Sequence, residues 1–347
     1  MWNHKELRSF FLIALIIISG YSFIPETESA DLGLNTYKIA GNAQGTTYHI
    51  TYYAENEIFN KFQADSIFNS LDSSLSIYKP YSLISKFNNE KRGGITDFHL
   101  KNVVKKALQV SEDSKGIFDI TVMPLVNIWG FGPDGNISVQ PTQRAIDSIL
   151  GFVGYKKLIL TGDSLIKLHP KTTIDVNGIA QGYSVDVIAD CFDGLGIANY
   201  LVEVGGEIRV KGRKQPGNEV MKIGIEAPSE NKFSDAIILK AIGLKEGAVT
   251  TSGKYRKFYE SGNIKRSHLI DPRTGFPLQN EMVSVTVYAQ DAITADAYDN
   301  VLMGMSVKQA LCFLKRHKNL EAYFIYTRSD GAIADTASKG FVSMFIE

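Results

Sequence analysis

Cysteine is nearly absent from the chain: Cys191 and Cys312 are the two, each set in an apolar helical pattern, IADCF and QALCFL. Neither a CxxC pair nor a Cys/His cluster occurs, which argues against a thiolate metal site, and both thiols read as small buried apolar groups. Net charge is missing too. Lys+Arg and Asp+Glu each number 37 in 347 residues. No domain-wide basic excess exists to neutralise phosphates, so nucleic acid is not an expected partner. The same balance gives no electrostatic reason for an anionic membrane surface. After residue 31 there is no internal repeat, low-complexity stretch or long linker, and no GxGxxG, so the usual dinucleotide fingerprint fails. The remaining composition, 44% hydrophobic and 21% charged, is that of a globular protein long enough for one large core or two small ones.

The one unbroken apolar run is N-terminal. Met1–Ser9 carries His4, Lys5 and Arg8; Phe10–Ile18 then reads FFLIALIII, and Glu28-Ser29-Ala30 offers a small-residue exit before Asp31. Charged start, short apolar centre and small-residue exit form the secretory pattern. The run is short for a hydrocarbon core of ~30 Å. Residues 1–30 are therefore expected to be a signal peptide or uncleaved signal anchor, with residues 31–347 as the functional domain outside the cytoplasm. No cysteine follows the run, so a lipid anchor on a mature N-terminal Cys is not available.

Tyr37–Ala54 alternates like a hairpin turning near Asn42–Gly45, and Lys156–Leu168 like another, with Thr161-Gly162-Asp163 at its tip. Helical spacing marks Glu57–Tyr78, Leu100–Lys115, the stretch from Ile179, Thr294–Met305 and Val307–His317. Short strands are predicted at Tyr200–Val204, Ile208–Lys211, Met221–Ile225, Ile237–Leu239, Val283–Ala289, Ala322–Tyr326 and Phe341–Phe345. Strands and helices mix without regular βαβ alternation. The class is α+β, with a mixed or mostly antiparallel sheet.

Four segments hold candidate chemistry. In the predicted helix Thr294–Met305, Asp296, Asp299 and Asn300 share a face, while Tyr298, Val301, Leu302 and Met305 face the other way. Two carboxylates and an amide oxygen suit a hard cation such as Mg2+; a solvated polar face is the bland alternative. The aromatic, glycine-rich Gly116–Gly132 contains Asp119 and could hold a flat ring, although residues such as Trp129 and Phe131 are more often core. Asp175-Val-Asn-Gly178-Ile-Ala180-Gln181-Gly182-Tyr183 enters a helix through glycines, either bringing amides to a diphosphate or simply capping a helix with Asp175 or Asn177. Finally, Thr251-Ser252-Gly253-Lys254-Tyr255 precedes His268 and the turn Asp271-Pro272-Arg273-Thr274-Gly275.

Taken in order, these segments resemble the FAD:protein FMN transferase (ApbE) family over nearly the whole mature length. The matching blocks are Gln44-Gly-Thr-Thr-Tyr48, Ser76-Ile-Tyr78 with Ser85-Lys-Phe-Asn88, Gly116–Gly132, Ile174–Asp186, Val204-Gly-Gly-Glu207, Thr251–Tyr255, His268–Gly275 and Asp296–Asn300. The departures are Gln44 for a common methionine, Asn177 for a glycine, Gln181 for a lysine or glutamate, and Asn300 for a threonine. The resemblance implies a cleft between sub-lobes that holds FAD as substrate, with its pyrophosphate near Mg2+. It implies a metal held by Asp296, Asp299, Asn300 and the backbone oxygen of Ala180. Tyr78, Phe118, Asp119, Thr121, Asp175 and Ile270 would grip the flavin and adenine parts, with Gln44 and Tyr183 as further contacts in their blocks. His268, an imidazole able to accept a proton near neutral pH, is the candidate base, Asp296 the other catalytic candidate, and Arg273 either a phosphate clamp or a turn brace. The implied reaction passes FMN to a Ser/Thr hydroxyl of an acceptor protein, typically a membrane redox subunit on the periplasmic side, and releases AMP. An FAD pyrophosphatase and a non-catalytic extracytoplasmic flavin carrier are the competing readings.

Overall fold

The computed structural model describes residues 33–133, 140–228, 237–254, 258–261 and 264–346. The N-terminal segment read as an export signal lies outside them. Among the described residues no helix is long and apolar enough to cross a membrane.

Eight strands make the central sheet: β1 (Asn35–Ala43), β2 (Thr46–Ala54), β3 (Asn199–Val204), β4 (Glu207–Lys211), β5 (Glu246–Gly253), β6 (Met282–Ala289), β7 (Glu321–Thr327) and β8 (Ile333–Ala337). They lie side by side in chain order, and every pairing is antiparallel. Side chains alternate between its two faces, as the pleat requires. Ala322 and Phe324 of β7 enter one core while Tyr323 and Ile325 enter the other, and Ala248 and Val249 of β5 divide in the same way.

On the first face lie α1 (Lys61–Leu75), α2 (Phe98–Asp113), α3 (Ala180–Gly194) and α4 (Ala292–Met303). Their starts follow from capping chemistry. Asn60 and Gln63 form a capping box on α1, and Asp97 and Asp291 accept N3 amides of α2 and α4. On α2, Leu100, Val103, Val104, Ala107 and Val110 form the buried stripe at helical spacing. The opposite face is covered by the three-stranded sheet of Met221–Glu226, Ile238–Leu244 and Phe345–Ile346, whose Ile223, Ile225 and Ile242 pack in the second core.

Two local differences from the sequence expectation have physical causes. The strand expected at Phe341–Phe345 is a helical turn, Lys339–Val342, followed by Phe345–Ile346 as a strand. Phe341 and Phe345 are four apart, a helical spacing, and both rings meet Tyr323, at 6.1 and 5.7 Å. Strand β5 gave no alternation to read because its Gly, Ala, Thr and Ser residues are small. It is buried through Gly247–Thr250, with helix α4 packed on it.

The contact that fixes the first face is between α3 and α4. A Cβ on Gly182 would lie 2.3 Å from the Ala292 carbonyl oxygen and 2.7 Å from the Asp296 Cβ. Only glycine permits this approach. Gly182→Ala is expected to lower the urea midpoint by the equivalent of about 1–3 kcal/mol, the cost of overpacking. Gly194→Ala on the same helix, where a Cβ meets nothing within 4 Å, should be neutral or stabilising by up to about 1 kcal/mol. Equal midpoints for the two variants would remove the close crossing from the account.

Candidate active site

The β1–β2 turn, the β3–β4 turn and the C-terminal end of β5 meet at one end of the sheet, because Tyr48 pairs with Val204 and Val249 with Ile208. There they open on a cavity of about 510 Å3, within the roughly 300–1,000 Å3 typical of small-molecule and cofactor sites. The sheet contributes Gln44–Thr46, Gly205, Glu207 and Thr251–Gly253. Helix α4 contributes Asp296, Asp299 and Asn300. The far wall comes from loops over a third, separate apolar cluster of Leu125, Trp129, Ile146, Val153 and Ile270. Trp129 is structural: it is buried, and its indole N–H donates to the Gly275 carbonyl at 2.7 Å. Phe131 instead reaches the cavity, with His268 edge-on to it at 6.4 Å.

The two turns are shaped for close approach. Gly205 and Gly206 both have positive φ, 64° and 106°, and the Gly206 amide donates to the Glu203 carboxylate at 2.7 Å. A Cβ on Gly205 would lie 2.9 Å from the Gln181 side chain and from Thr46. Gln44 is itself left-handed, at φ 52°. Its Nε2 donates to Ser184 Oγ (2.7 Å), whose own hydroxyl is given to the Ala180 carbonyl (2.8 Å). That order fixes the amide and leaves the Gln44 Oε1 buried with no hydrogen-bond partner.

Asp296 and Asp299 are both buried, at 4% and 1% exposure. The Gly182 amide, in the first turn of α3, donates to Asp296 Oδ2 at 2.8 Å. Burial, reinforced by the charge of Asp186, pushes the Asp296 carboxyl up to about 7. Asn300 turns its Nδ2 toward Asp299 Oδ1 (2.9 Å), the Asp296 carbonyl (3.0 Å) and the Gly178 carbonyl (3.3 Å), and its oxygen toward Ser252 Oγ (3.4 Å). Asn300 thus braces the Asp299 carboxylate as a donor, with its oxygen turned toward Ser252. Among the described residues no group of three or more His, Cys, Asp or Glu is placed to hold a metal ion. What the floor of the cavity offers a cation is two buried carboxylates of hard-oxygen character. Asp296 makes no ion pair with a described residue, so a bound divalent ion would offset a burial cost that the protein itself leaves standing. The donor set fits Mg2+.

Of the other residues singled out in the sequence, Tyr78, Phe118, Asp119, Asp175, His268 and Ile270 also line the cavity, whereas Thr121, Tyr183 and Ala180 do not. Thr121 is buried beneath it. Its hydroxyl donates to Asp119 Oδ1 (2.7 Å) and accepts the Gly154 amide (2.7 Å), and Asp119 also accepts the Thr121 and Tyr155 amides. Asp119 and Thr121 thus knit the wall together, and burial raises the Asp119 carboxyl. The Tyr183 hydroxyl meets His99 Nδ1 at 2.9 Å on the side of α2. Arg273 is bidentate to Asp271 (2.9 and 2.8 Å), which is the turn-bracing arrangement. Asp175 does not cap α3; its Oδ1 accepts the Asn177 amide at 2.8 Å, and the Ile179 cap has no side-chain bond.

The ApbE family model matches residues 44–324. The chain belongs to the ApbE family. The FAD:protein FMN transferase of Vibrio cholerae is 33% identical over 309 residues, covering 87% of this chain and 91% of that protein. That of Haemophilus influenzae is 31% identical over 314 residues, covering 86% and 89%. The solved flavin transferase ApbE from Vibrio cholerae superposes with a TM-score of 0.80 at 32% identity, covering 90% of this chain and 99% of that one. The apo flavinyl transferase ApbE of Pseudomonas stutzeri gives 0.79 at 31%, covering 90% and 97%. The α+β architecture of this ApbE-family chain is thus that of solved relatives.

A residue that sequence reasoning left without a role holds the site helix of this ApbE-family fold. Asp186, buried on α3, accepts the Ala292 and Ile293 amides (2.9 and 2.8 Å) and pairs with Arg209 (2.8 Å). The available signal was an acid at helical spacing with Gly182, Asp190 and Asp193, a face where a buried charge needs partners. Burial pushes Asp186 up to about 6 even though these three partners favour the anion. The folded state therefore holds the proton more tightly than the unfolded chain. The contribution is present below pH ~4 and is lost as pH rises through about 6. Chemical denaturation between those limits should show stability falling by about 1–3 kcal/mol with rising pH, and a flatter profile for Asp186→Asn; parallel profiles would contradict the assignment.

Proposed function

We propose that this chain cleaves FAD and transfers its FMN half to a Ser or Thr hydroxyl of an acceptor protein, releasing AMP, with Mg2+ at Asp296 and Asp299. The carrying observation is the pair of buried carboxylates at the floor of a cavity whose walls are glycine turns and aromatic rings. Family membership supplies the reaction class. Tyr78, 59% exposed at the rim, and Phe118 offer flat surfaces to a stacked ring. The Gly205-Gly206 turn and the Gly178 region let backbone come close to a diphosphate. When bound, Mg2+ neutralises charge on the pyrophosphate and its leaving oxygen.

The residues of the chain do the rest. The Gly182 amide and the Asn300 amide hold the two carboxylates in place. The acceptor hydroxyl oxygen bonds to the FMN-side phosphorus, the bridging P–O bond breaks, and its electron pair leaves with AMP. His268, in the cavity wall, takes the hydroxyl proton. The secretory pattern of residues 1–30 supports action outside the cytoplasm, on a membrane redox subunit carrying a Ser/Thr motif.

Incubating the full chain with FAD, Mg2+ and a motif-bearing acceptor should give an acceptor with covalently attached FMN, read by intact mass, and an equal amount of AMP. FMN released with no labelled acceptor would replace transfer with hydrolysis, and tight FAD binding without any AMP would leave only a carrier. Asp296→Asn keeps an acceptor for the Gly182 amide, so it should stay folded while AMP formation falls by about 100-fold or more. An unchanged rate would refute the cation site. His268→Ala should slow transfer more than it weakens FAD binding; an unaltered rate would take His268 out of the mechanism.

A further inference from the structure

A small three-stranded sheet, Gly93–Ile95, Leu158–Thr161 and Ser164–Lys167, lies outside the chemistry described so far. Its register sorts the side chains without ambiguity. Ile95 and Thr161 flank Ser164, Gly93 and Ile159 flank Ile166, and the Leu168 amide continues the ladder to the Lys157 carbonyl at 2.8 Å. Leu158, Leu165 and Lys167 point inward and are buried. The other parity points outward. Ile95 is 74% exposed, Leu168 60%, Ile159 44% and Ile166 38%. Four large aliphatic side chains thus share one uncovered face, an arrangement unlike the scattered single apolar residues of an ordinary surface. Phe98, 72% exposed, follows just beyond the end of the first strand.

Beside this face the cations outnumber the acids. Lys91, Arg92, Lys156 and Lys171 are exposed, Lys157 is half-exposed, and none of them forms an ion pair among the described residues. Of the nearby acids, Asp163 is paired with Lys101 at 2.7 Å, while Glu90 and Asp97, the cap of α2, offset two of these five charges. The whole chain is formally neutral, so this is a local concentration that the net figure hides.

We propose that this face docks on an anionic lipid surface, the four aliphatic side chains entering the headgroup boundary while the basic rim meets lipid phosphates. An apolar patch with a cationic border is the pattern of interfacial membrane binding, and each Lys or Arg held near such a surface adds to the attraction. The inference is independent of the proposed reaction, because it uses no residue of the cavity.

The test places an indole on the patch by Ile95→Trp in the full chain and compares it with the parent chain, which carries Trp2 and Trp129 in both cases. The Phe10–Ile18 run is present throughout, so the readout is emission from position 95 rather than sedimentation of the chain. The expected result is a blue shift, with quenching by brominated lipid, on phosphatidylglycerol-containing vesicles but not on pure phosphatidylcholine, and its loss in high salt. Adding Lys91→Glu and Lys157→Glu should weaken the vesicle partition read at that indole by roughly tenfold or more. No change at the introduced indole on anionic vesicles would overturn the proposal. So would equal responses to neutral and anionic vesicles. An indole already blue-shifted without lipid, in a chain that sediments as a dimer, would overturn it in favour of a second copy.

Discussion

The site depends on an exchange between two helix ends. The first turn of α3 has amides with no partner in their own helix, and Gly182 gives one of them to Asp296 on α4. The first turn of α4 has the same deficit, and Asp186 on α3 fills it with two bonds, to Ala292 and Ile293. Each helix thus satisfies the start of the other with a carboxylate. The exchange is possible because residue 182 has no side chain to hold the backbones apart. Small residues on α3, packed against a helix that is almost wholly buried, are the packing side of the same constraint.

That geometry has an electrostatic consequence. Drawing Asp296 into a buried crossing raises its carboxyl to about 7, and burial raises Asp186 to about 6. The fold therefore spends stability to keep two acids in a low-dielectric place. Asp186 has Arg209 beside it, while Asp296 faces the cavity with an amide behind it. A divalent cation and the phosphates bound to it would complete that arrangement on the open side. The rest of the wall follows the same economy: Asp119 and Thr121 spend their polar groups on each other and on the Gly154 and Tyr155 amides. The cavity surface is left to aromatic rings, glycine turns and His268.

Much of this could be read from the sequence, because it rests on local periodicity. The face shared by Asp296, Asp299 and Asn300 follows from helical spacing, and the structure does put that face on the cavity and Val301 and Leu302 in the core. The hairpin of β1 and β2 and the small one around Gly162 were visible as alternation with turn residues. Harder to read was anything set by a neighbour distant in sequence. Strand β5 is built of small residues whose burial comes from α4 and the sheet around it. Asn300 could donate or accept, and only the three acceptors around its Nδ2 decide which. Thr121 looked like a ligand contact by its position in a motif, yet its hydroxyl is consumed 33 residues away by Gly154. Net charge, a sum over the chain, likewise said nothing of where Lys91 and Lys157 stand relative to Ile95 and Leu168.

The central claim is that the α3–α4 crossing presents Asp296 and Asp299 as the seat of a divalent cation. Diffraction from crystals soaked with Mn2+ and FAD, collected at an energy where manganese scatters anomalously, tests it most directly. The account predicts an anomalous peak in coordination contact with carboxylate oxygens of both residues, at about 2.0–2.2 Å. A peak bound elsewhere in a cavity that holds FAD, or FAD bound with no peak at that floor, would contradict it.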